Sequence, residues 1–307
     1  GPTNGQVFST NSATGTPIAV VNYQLNSNVI VNGSSPAGTV GDTDTLTLRG
    51  TDPASPSTSG NEDVIADFRA AGTGAAPMVR VYDAGTPALP ARPTNAELFD
   101  LQGILGNSLY NLQNFTNFNT INFEMLSGDD VVSIVGRDDG SLTVNVDGGN
   151  GSNALDLRGT RDAGDAYSVT PGASNDAGIA TAQVSSAAAP TNINFSGTSA
   201  INIDGGGGTG TDSLTLNGTN DDDVIAVAGT GTASYTASVN AQALVTVSNV
   251  GSTDSTISVQ AGAGNDDISV APPNAAGWNV TAIALAAAGS TNDALTIFGT
   301  TGADTFT

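Results

Sequence analysis

Short runs of alternating apolar residues recur along the chain and limit the folds that it can adopt. Between residues 201 and 307 they return about every ten to fifteen residues, with Gly, Asn and Asp between them. Strands this short, with a two-residue period and turn formers on either side, predict an all-β fold. The alternating pairs are Ile201 and Ile203, Leu214 and Leu216, Val224 and Val227, Val245 and Val247, Ile257 and Val259, Ile268 and Val270, Ile283 and Leu285, and Leu295 and Ile297.

A longer pattern occurs four times and indicates an internal repeat. It reads as a small polar residue, two apolar residues in alternation, and then Gly-Thr. Its copies start 109, 59 and 81 residues apart, so the unit tolerates insertions, which belong in loops. Stacked units of this kind favour an elongated parallel β-solenoid with irregular repeats, and β-sandwich domains are the alternative. The copies are Asp44–Thr51, Asn153–Thr160, Asp212–Thr219 and Asp293–Thr300.

The organisation along the chain is predicted in three parts. Residues 1–28 form an N-terminal strand or cap, residues 29–113 form a first repeat region, and residues 114–307 form a repeat-rich solenoid that is truncated at its C-terminal end. One short helix is expected as an insertion near 95–108, because a capping box precedes leucines at helical spacing. The residues that predict it are Thr94, Glu97, Leu98, Leu101, Leu105 and Leu109.

Charge limits the partners and the chemistry. The chain has 29 acidic residues against 7 Lys and Arg, has no His, and carries a formal net charge of −22. Nucleic acid is a poor partner for such a surface, and no apolar run approaches the length of a membrane span. The lack of His, Lys and Cys removes the commonest general bases and nucleophiles, so we expect no enzyme. Self-repulsion on this scale favours bound cations.

Acidic, glycine-rich turns suggest where cations could bind. The segment Gly207–Thr215 reads Gly-Gly-Thr-Gly-Thr-Asp-Ser-Leu-Thr, and Ala261–Ser269 and Gly148–Asp156 differ from that pattern at one fixed position. Glycines permit the positive φ of a tight turn, so that backbone carbonyls and the Asp carboxylate point into it. Asp and Asn are also favoured in turns because they cap their own backbone, and this second explanation stays open.

These turns resemble the haemolysin-type (RTX-like) calcium-binding nonapeptide repeats of large secreted bacterial surface proteins. In that family the repeats lie back to back, whereas here they are isolated or lie eleven residues apart. The resemblance implies several Ca²⁺ sites formed by turn carboxylates. The candidate metal ligands are Asp129, Asp130, Asp212, Asp221, Asp222, Asp223, Asp266, Asp267, Asp293 and Asp304.

We therefore expect an extracellular structural protein, such as a segment of a surface layer, filament, adhesin or matrix, stabilised by calcium. Its partners are further repeats of the same parent chain or a second copy, whose strand around Val20–Leu25 would meet the open C-terminal edge in a linear array. The alternative function is a β-helical carbohydrate-binding or carbohydrate-active module with a glycan ligand. Trp278 is the only Trp, which equips a sugar groove poorly.

Overall fold

The structure, a computed structural model, consists of β-strands joined by turns wherever it is described. It describes residues 4–10, 17–24, 28–29, 45–49, 62–68, 78–83, 110–113, 120–136, 142–160, 164–183, 189–251, 255–274, 277–287 and 292–302. The predicted all-β class is confirmed. The helix predicted near 95–108 lies outside these ranges, and within them no helix could span a membrane.

Twenty-three strands are present in the described residues. In chain order they are β1 Asn4–Thr10, β2 Pro17–Gln24, β3 Asn28–Val29, β4 Thr45–Arg49, β5 Glu62–Asp67, β6 Met78–Asp83, β7 Tyr110–Gln113, β8 Thr120–Glu124, β9 Val131–Val135, β10 Thr143–Asp147, β11 Ala154–Arg158, β12 Ala166–Pro171, β13 Gly178–Gln183, β14 Thr191–Ser196, β15 Ala200–Asp204, β16 Ser213–Asn217, β17 Val224–Gly231, β18 Ser234–Val239, β19 Leu244–Ser248, β20 Ser255–Gly262, β21 Asp267–Ala271, β22 Val280–Ala287 and β23 Ala294–Ile297.

The strands form two mixed, largely parallel sheets. Sheet A has the order β2-β1-β4-β8-β10-β14-β13-β12-β16-β20-β22, and sheet B has the order β23-β21-β17-β18-β19-β15-β11-β9-β5-β6-β7-β3. Outside the inserted strands, the chain passes from a strand of sheet A to a strand of sheet B and back, and each such circuit is called a coil below. Strands of successive coils pair in parallel, as β8 with β10 and β9 with β11. All three segments predicted from the sequence contribute strands to these sheets.

Three antiparallel insertions interrupt this winding, and the sequence did not predict them. In sheet A, β12 pairs with β16, β13 runs back between β12 and β14, and β14 then pairs with β10. The chain thus moves two strand positions ahead and returns by a three-strand zigzag. In sheet B, β17-β18-β19 and β5-β6-β7 follow the same course. The solenoid-like path therefore advances unevenly along its axis.

The core lies between the sheets, where the apolar alternation predicts it. In β14 the residues Thr191, Ile193 and Phe195 are buried while the residues between them are exposed. Register aligns inward positions of successive strands, as Val144 aligns with Ile121 and Ile193. Burying one such side chain contributes about 1.5–3 kcal/mol, so the aligned columns stabilise the stack along its whole length.

A ladder of amides on the outer face of sheet A fixes the parallel register. Asn194 Nδ2 donates to Asn145 Oδ1 at 2.8 Å, and Asn145 Nδ2 donates to Asn122 Oδ1 at 2.7 Å. Asn122 Nδ2 then donates to Thr47 Oγ1 at 3.2 Å. Because each amide bonds the next strand, a one-residue slip in register would break the chain of bonds.

Candidate functional site

A polar residue stands immediately before many of the strands, or at the first position of the strand in β20, and in register these residues form columns that run along the stack. We call this set the aspartate ladder. In sheet A, one column consists of Asp165, Asp212 and Ser255. In sheet B, one column pairs Asp130 with Asn153, and another consists of Asp223, Asp266 and Asp293. All except Asp293 are buried. The members are Asp130, Asn153, Asp165, Asp212, Asp223, Ser255, Asp266 and Asp293.

Each column is joined by side-chain hydrogen bonds between neighbouring coils. The side-chain oxygen of one member accepts the backbone N–H of the member before it in the column. These bonds are Asp165 N–H to Asp212 Oδ1 at 3.0 Å, Asp223 N–H to Asp266 Oδ1 at 3.0 Å, Asp266 N–H to Asp293 Oδ1 at 3.0 Å, Asp130 N–H to Asn153 Oδ1 at 2.9 Å, and Asp212 N–H to Ser255 Oγ at 3.3 Å. The ladder therefore satisfies backbone donors that burial would otherwise leave unpaired.

The carboxylates of Asp165 and Asp223, the first members of their columns, close the turn before their own strand. Asp223 Oδ2 accepts the N–H of Thr219 at 2.7 Å, and Asp165 Oδ2 accepts the N–H of Thr160 at 2.6 Å. Both threonine hydroxyls also donate to the same carboxylates. The residue before each threonine is glycine because a Cβ atom at Gly218 would lie 2.7 Å from Asp223 Oδ2. The repeated Gly-Thr is thus the donor half of a capped turn.

Asn153 shows why one member of the ladder is an amide. Its Nδ2 donates to the carbonyl oxygens of Gly148 at 2.8 Å and Gly197 at 2.9 Å, while its Oδ1 serves the ladder. A carboxylate there would place an acceptor against two acceptors. Asp therefore occurs where the side-chain atom that does not serve the ladder faces an N–H group, as Asp212 Oδ2 faces Gly251, and Asn occurs where that atom faces carbonyl oxygens.

Asp212 is the middle member of its column, between Asp165 and Ser255. Its Oδ2 accepts the N–H of Gly251 at 2.7 Å. Burial raises the pKa of Asp212, the backbone N–H groups of Asp165 and Gly251 oppose that shift, and the negative charge of Asp204 adds to it. Burial also raises the pKa of the Tyr167 hydroxyl well above its ordinary value. Ionised Asp212 therefore lowers the stability of the folded state relative to its protonated form.

Asp266 departs from the capping pattern. It is buried, and its Oδ2 has no hydrogen-bond partner. The turn of residues 261–266 stacks on the turn of residues 218–223, and Gly262 occupies the place that Thr219 holds in that turn. The threonine donor is therefore missing beside this carboxylate, and the fold carries the cost of one buried oxygen without a hydrogen bond.

The remaining candidate ligands lie on the outside of the turns. Asp129 Oδ1 accepts the N–H of Ser152 at 2.8 Å, and Asp222 Oδ1 accepts the N–H of Asn265 at 2.7 Å. Asp221 and Asp267 are exposed, and Asp304 lies outside the described residues. Within the described part of the chain, no three acidic side chains converge in a group that could hold a metal ion.

Sequence reasoning placed most of the ladder among candidate ligands but missed three of its members. Asn153 was noted only as a substitution in the repeat, and Asp165 and Ser255 were not singled out. Asp165 could have been found from the Gly-Thr five residues earlier, because Thr160 bonds it as Thr219 bonds Asp223. Ser255 carries no comparable signal.

In comparisons with family models, with curated proteins and with solved structures, nothing matches this chain.

Proposed function

We propose that this chain is an extracellular structural protein, a stiff spacer in a surface layer, filament, adhesin or matrix. The observation that carries the proposal is the aspartate ladder, in which side chains tie neighbouring coils together through five hydrogen bonds. An example is Asp165 N–H, which donates to Asp212 Oδ1 at 3.0 Å. A stack joined in this way resists bending and sliding between coils, which is the property that a spacer needs.

A direct test is small-angle X-ray scattering at low protein concentration. Twelve strands at about 4.8 Å spacing give a body about 50 Å long, so we expect an elongated particle whose largest dimension does not change with ionic strength. A flexible particle with no defined length would contradict a spacer role.

Calcium enters the proposal at the exposed acids rather than in the ladder. Asp212 and Asp223 already direct both carboxylate oxygens at N–H donors, so they do not fit the role of a calcium ligand. The stacked turns of residues 218–223 and 261–266 fit better, because the exposed Asp221 and Asp222 lie in one of them and the other contains Asp266, whose Oδ2 has no hydrogen-bond partner. Ca²⁺ takes about six to eight oxygens, so carbonyl groups and water would complete such a site.

Thermal unfolding in millimolar calcium and in chelator, at constant ionic strength, tests this part. A ligand that binds only the folded state stabilises it by about 2.7 kcal/mol at a hundredfold excess over Kd. We expect Asp222→Asn to reduce the calcium-dependent shift, and Asp176→Asn, at an exposed site in another turn, to leave it unchanged. An identical midpoint with and without calcium would remove the ion from the proposal.

The carbohydrate alternative is less well supported. Trp278 packs edge-to-face against the buried Tyr235, with ring centroids 6.2 Å apart, and it contacts the hydrophobic core. Its ring is half-buried against the core, so only part of it is open for a sugar to stack on.

A further inference from the structure

At each end of the stack, the edge strands of the two sheets are consecutive in the chain. At one end the edges are β22 in sheet A and β23 in sheet B, and at the other end they are β2 and β3. Edge strands expose backbone N–H and C=O groups that can pair with another chain. Each end of the described stack is thus a template for strand addition.

The β22-β23 end is also apolar. Leu295 and Ile297 are 52% and 48% exposed, whereas Ile268 and Val270, their partners in register on β21, are 5% exposed. The same inward positions are therefore covered in one coil and open in the last. Phe298 next to them is 53% exposed. This exposed surface is therefore apolar in the same way as the surfaces that pack between successive coils.

Strand direction shows what fits this end. In sheet A, β1 is antiparallel to both β2 and β4, so β2 and β4 are parallel. Between β4 and β22 only β13 runs the opposite way, so β4 and β22 are parallel as well. Strands β2 and β22 therefore point the same way. In sheet B the reversals at β6 and β18 likewise leave β3 and β23 parallel. A second copy placed further along the axis would continue both sheets with the parallel pairing that dominates them.

The two edges of sheet A match in length and charge. Strands β2 and β22 are each eight residues long, and neither contains a charged residue. In a chain of net charge −22, uncharged edges are where two copies can approach with the least repulsion. A parallel contact between these strands therefore needs no charged group to be buried.

We propose that the partner of the β22-β23 end is a second copy of this chain, which stacks head to tail so that β22 pairs in parallel with β2 of the neighbour and β23 with β3. Leu295, Ile297 and Phe298 become buried at the junction. The inference rests on the proposed structural function and specifies how spacers join. The contact is heterologous, so it propagates into a linear assembly, and because the copies repel one another, added salt strengthens it.

Disulfide trapping tests the geometry, since the chain has no cysteine of its own. Ala284→Cys places a thiol on exposed β22, and Val20→Cys or Val21→Cys places one on β2, on opposite faces of the strand. Mixing Ala284→Cys with each β2 variant under mild oxidation should give a mixed dimer with one of the two, at a yield at least about tenfold above either homodimer. Homodimers of Ala284→Cys alone would overturn the head-to-tail arrangement, as would the absence of any cross-link at high concentration.

Sedimentation separates failure of this inference from failure of the proposed function. The wild-type chain should form larger species as concentration and salt rise, and the double variant Leu295→Lys/Ile297→Lys should weaken that association at least about tenfold while keeping the circular dichroism of the wild type. If the wild type stays monomeric yet scatters as a rigid elongated particle, the head-to-tail contact is wrong and the spacer role stands. A particle without defined length would remove the spacer role itself.

Discussion

The backbone N–H of Asp223 donates to Oδ1 of Asp266 at 3.0 Å, although the two residues are 43 positions apart in the sequence. Asp223 also holds its own turn through Thr219 and accepts Asn240 Nδ2 at 2.6 Å. The Asp223 carboxylate therefore joins its own turn to Asn240 at the end of β18, while the backbone N–H of Asp223 joins the neighbouring coil through the carboxylate of Asp266.

Asp223→Ala is expected to lower the free energy of unfolding by about 2 kcal/mol, because it leaves the N–H and hydroxyl of Thr219 and the amide of Asn240 without their acceptor. Asp222→Ala is the matched control, since Asp222 is adjacent and exposed and accepts the N–H of Asn265 alone among the bonds described. Its loss should be below about 1 kcal/mol. Urea unfolding measures both values. Equal losses for the two variants would show that the Asp223 carboxylate does not hold its turn and the end of β18.

The identity of the amide at position 153 gives a second prediction. Asn153→Asp would set a carboxylate oxygen against the carbonyls of Gly148 and Gly197, so it should destabilise the fold by about 2 kcal/mol near pH 7. The loss should shrink below pH 4, because a protonated carboxyl can donate to one carbonyl. Asn150→Asp, exposed in the same turn, should change stability little at either pH. A pH-independent loss at position 153 would contradict this explanation.

The all-β class and the inward-facing residues could be predicted from the sequence, since alternation reports directly on which face of a strand is buried. The sheet to which a strand belongs could not. The four copies of the repeated pattern fall on β4 and β16 in sheet A and on β11 and β23 in sheet B, and none pairs with another. Both sheets bury one face, so the repeated pattern specifies a strand and the turn after it in either sheet. It does not specify which strands pair with that strand.

The same limit applies to the aspartates. The sequence places Asp212 and Asp266 before strands in closely similar turns, yet one has both oxygens bonded and the other has Oδ2 unpaired. What each carboxylate meets depends on a coil tens of residues away: the N–H that bonds Asp212 Oδ2 comes from Gly251, 39 residues further along the chain. Local sequence alone therefore left turn capping and ion binding as open alternatives.

The raised pKa of Asp212 predicts a pH dependence of stability. Burial favours its protonated form in the folded state, so its contribution is fully present below the ordinary pKa of 3.8 and is lost as the pH rises through the higher folded value. Asp212→Ser copies the hydroxyl of Ser255 and should remove this dependence. Urea unfolding from pH 3 to pH 7, with the Asp212 carboxyl followed by carbon-13 NMR, measures both. A carboxyl that titrates below 3.8 would reverse the sign and contradict the prediction.

Leu126 provides a prediction in the opposite direction, a substitution that stabilises. Its φ is 70°, in the left-handed region that costs a bulky residue about 1–2 kcal/mol, and Gly149 occupies the equivalent place in the next turn at φ 68°. The backbone carbonyl of Leu126 accepts the N–H of Asn150, which holds both turns in this conformation. The side chain is 36% exposed, so Leu126→Gly gives up part of its burial, and the relief of strain should leave a net rise in the free energy of unfolding of at most about 1 kcal/mol. Leu126→Ala keeps the strained φ and should give no gain, so a stabilising alanine, or a glycine no better than alanine, would show that strain at this turn is not the cause.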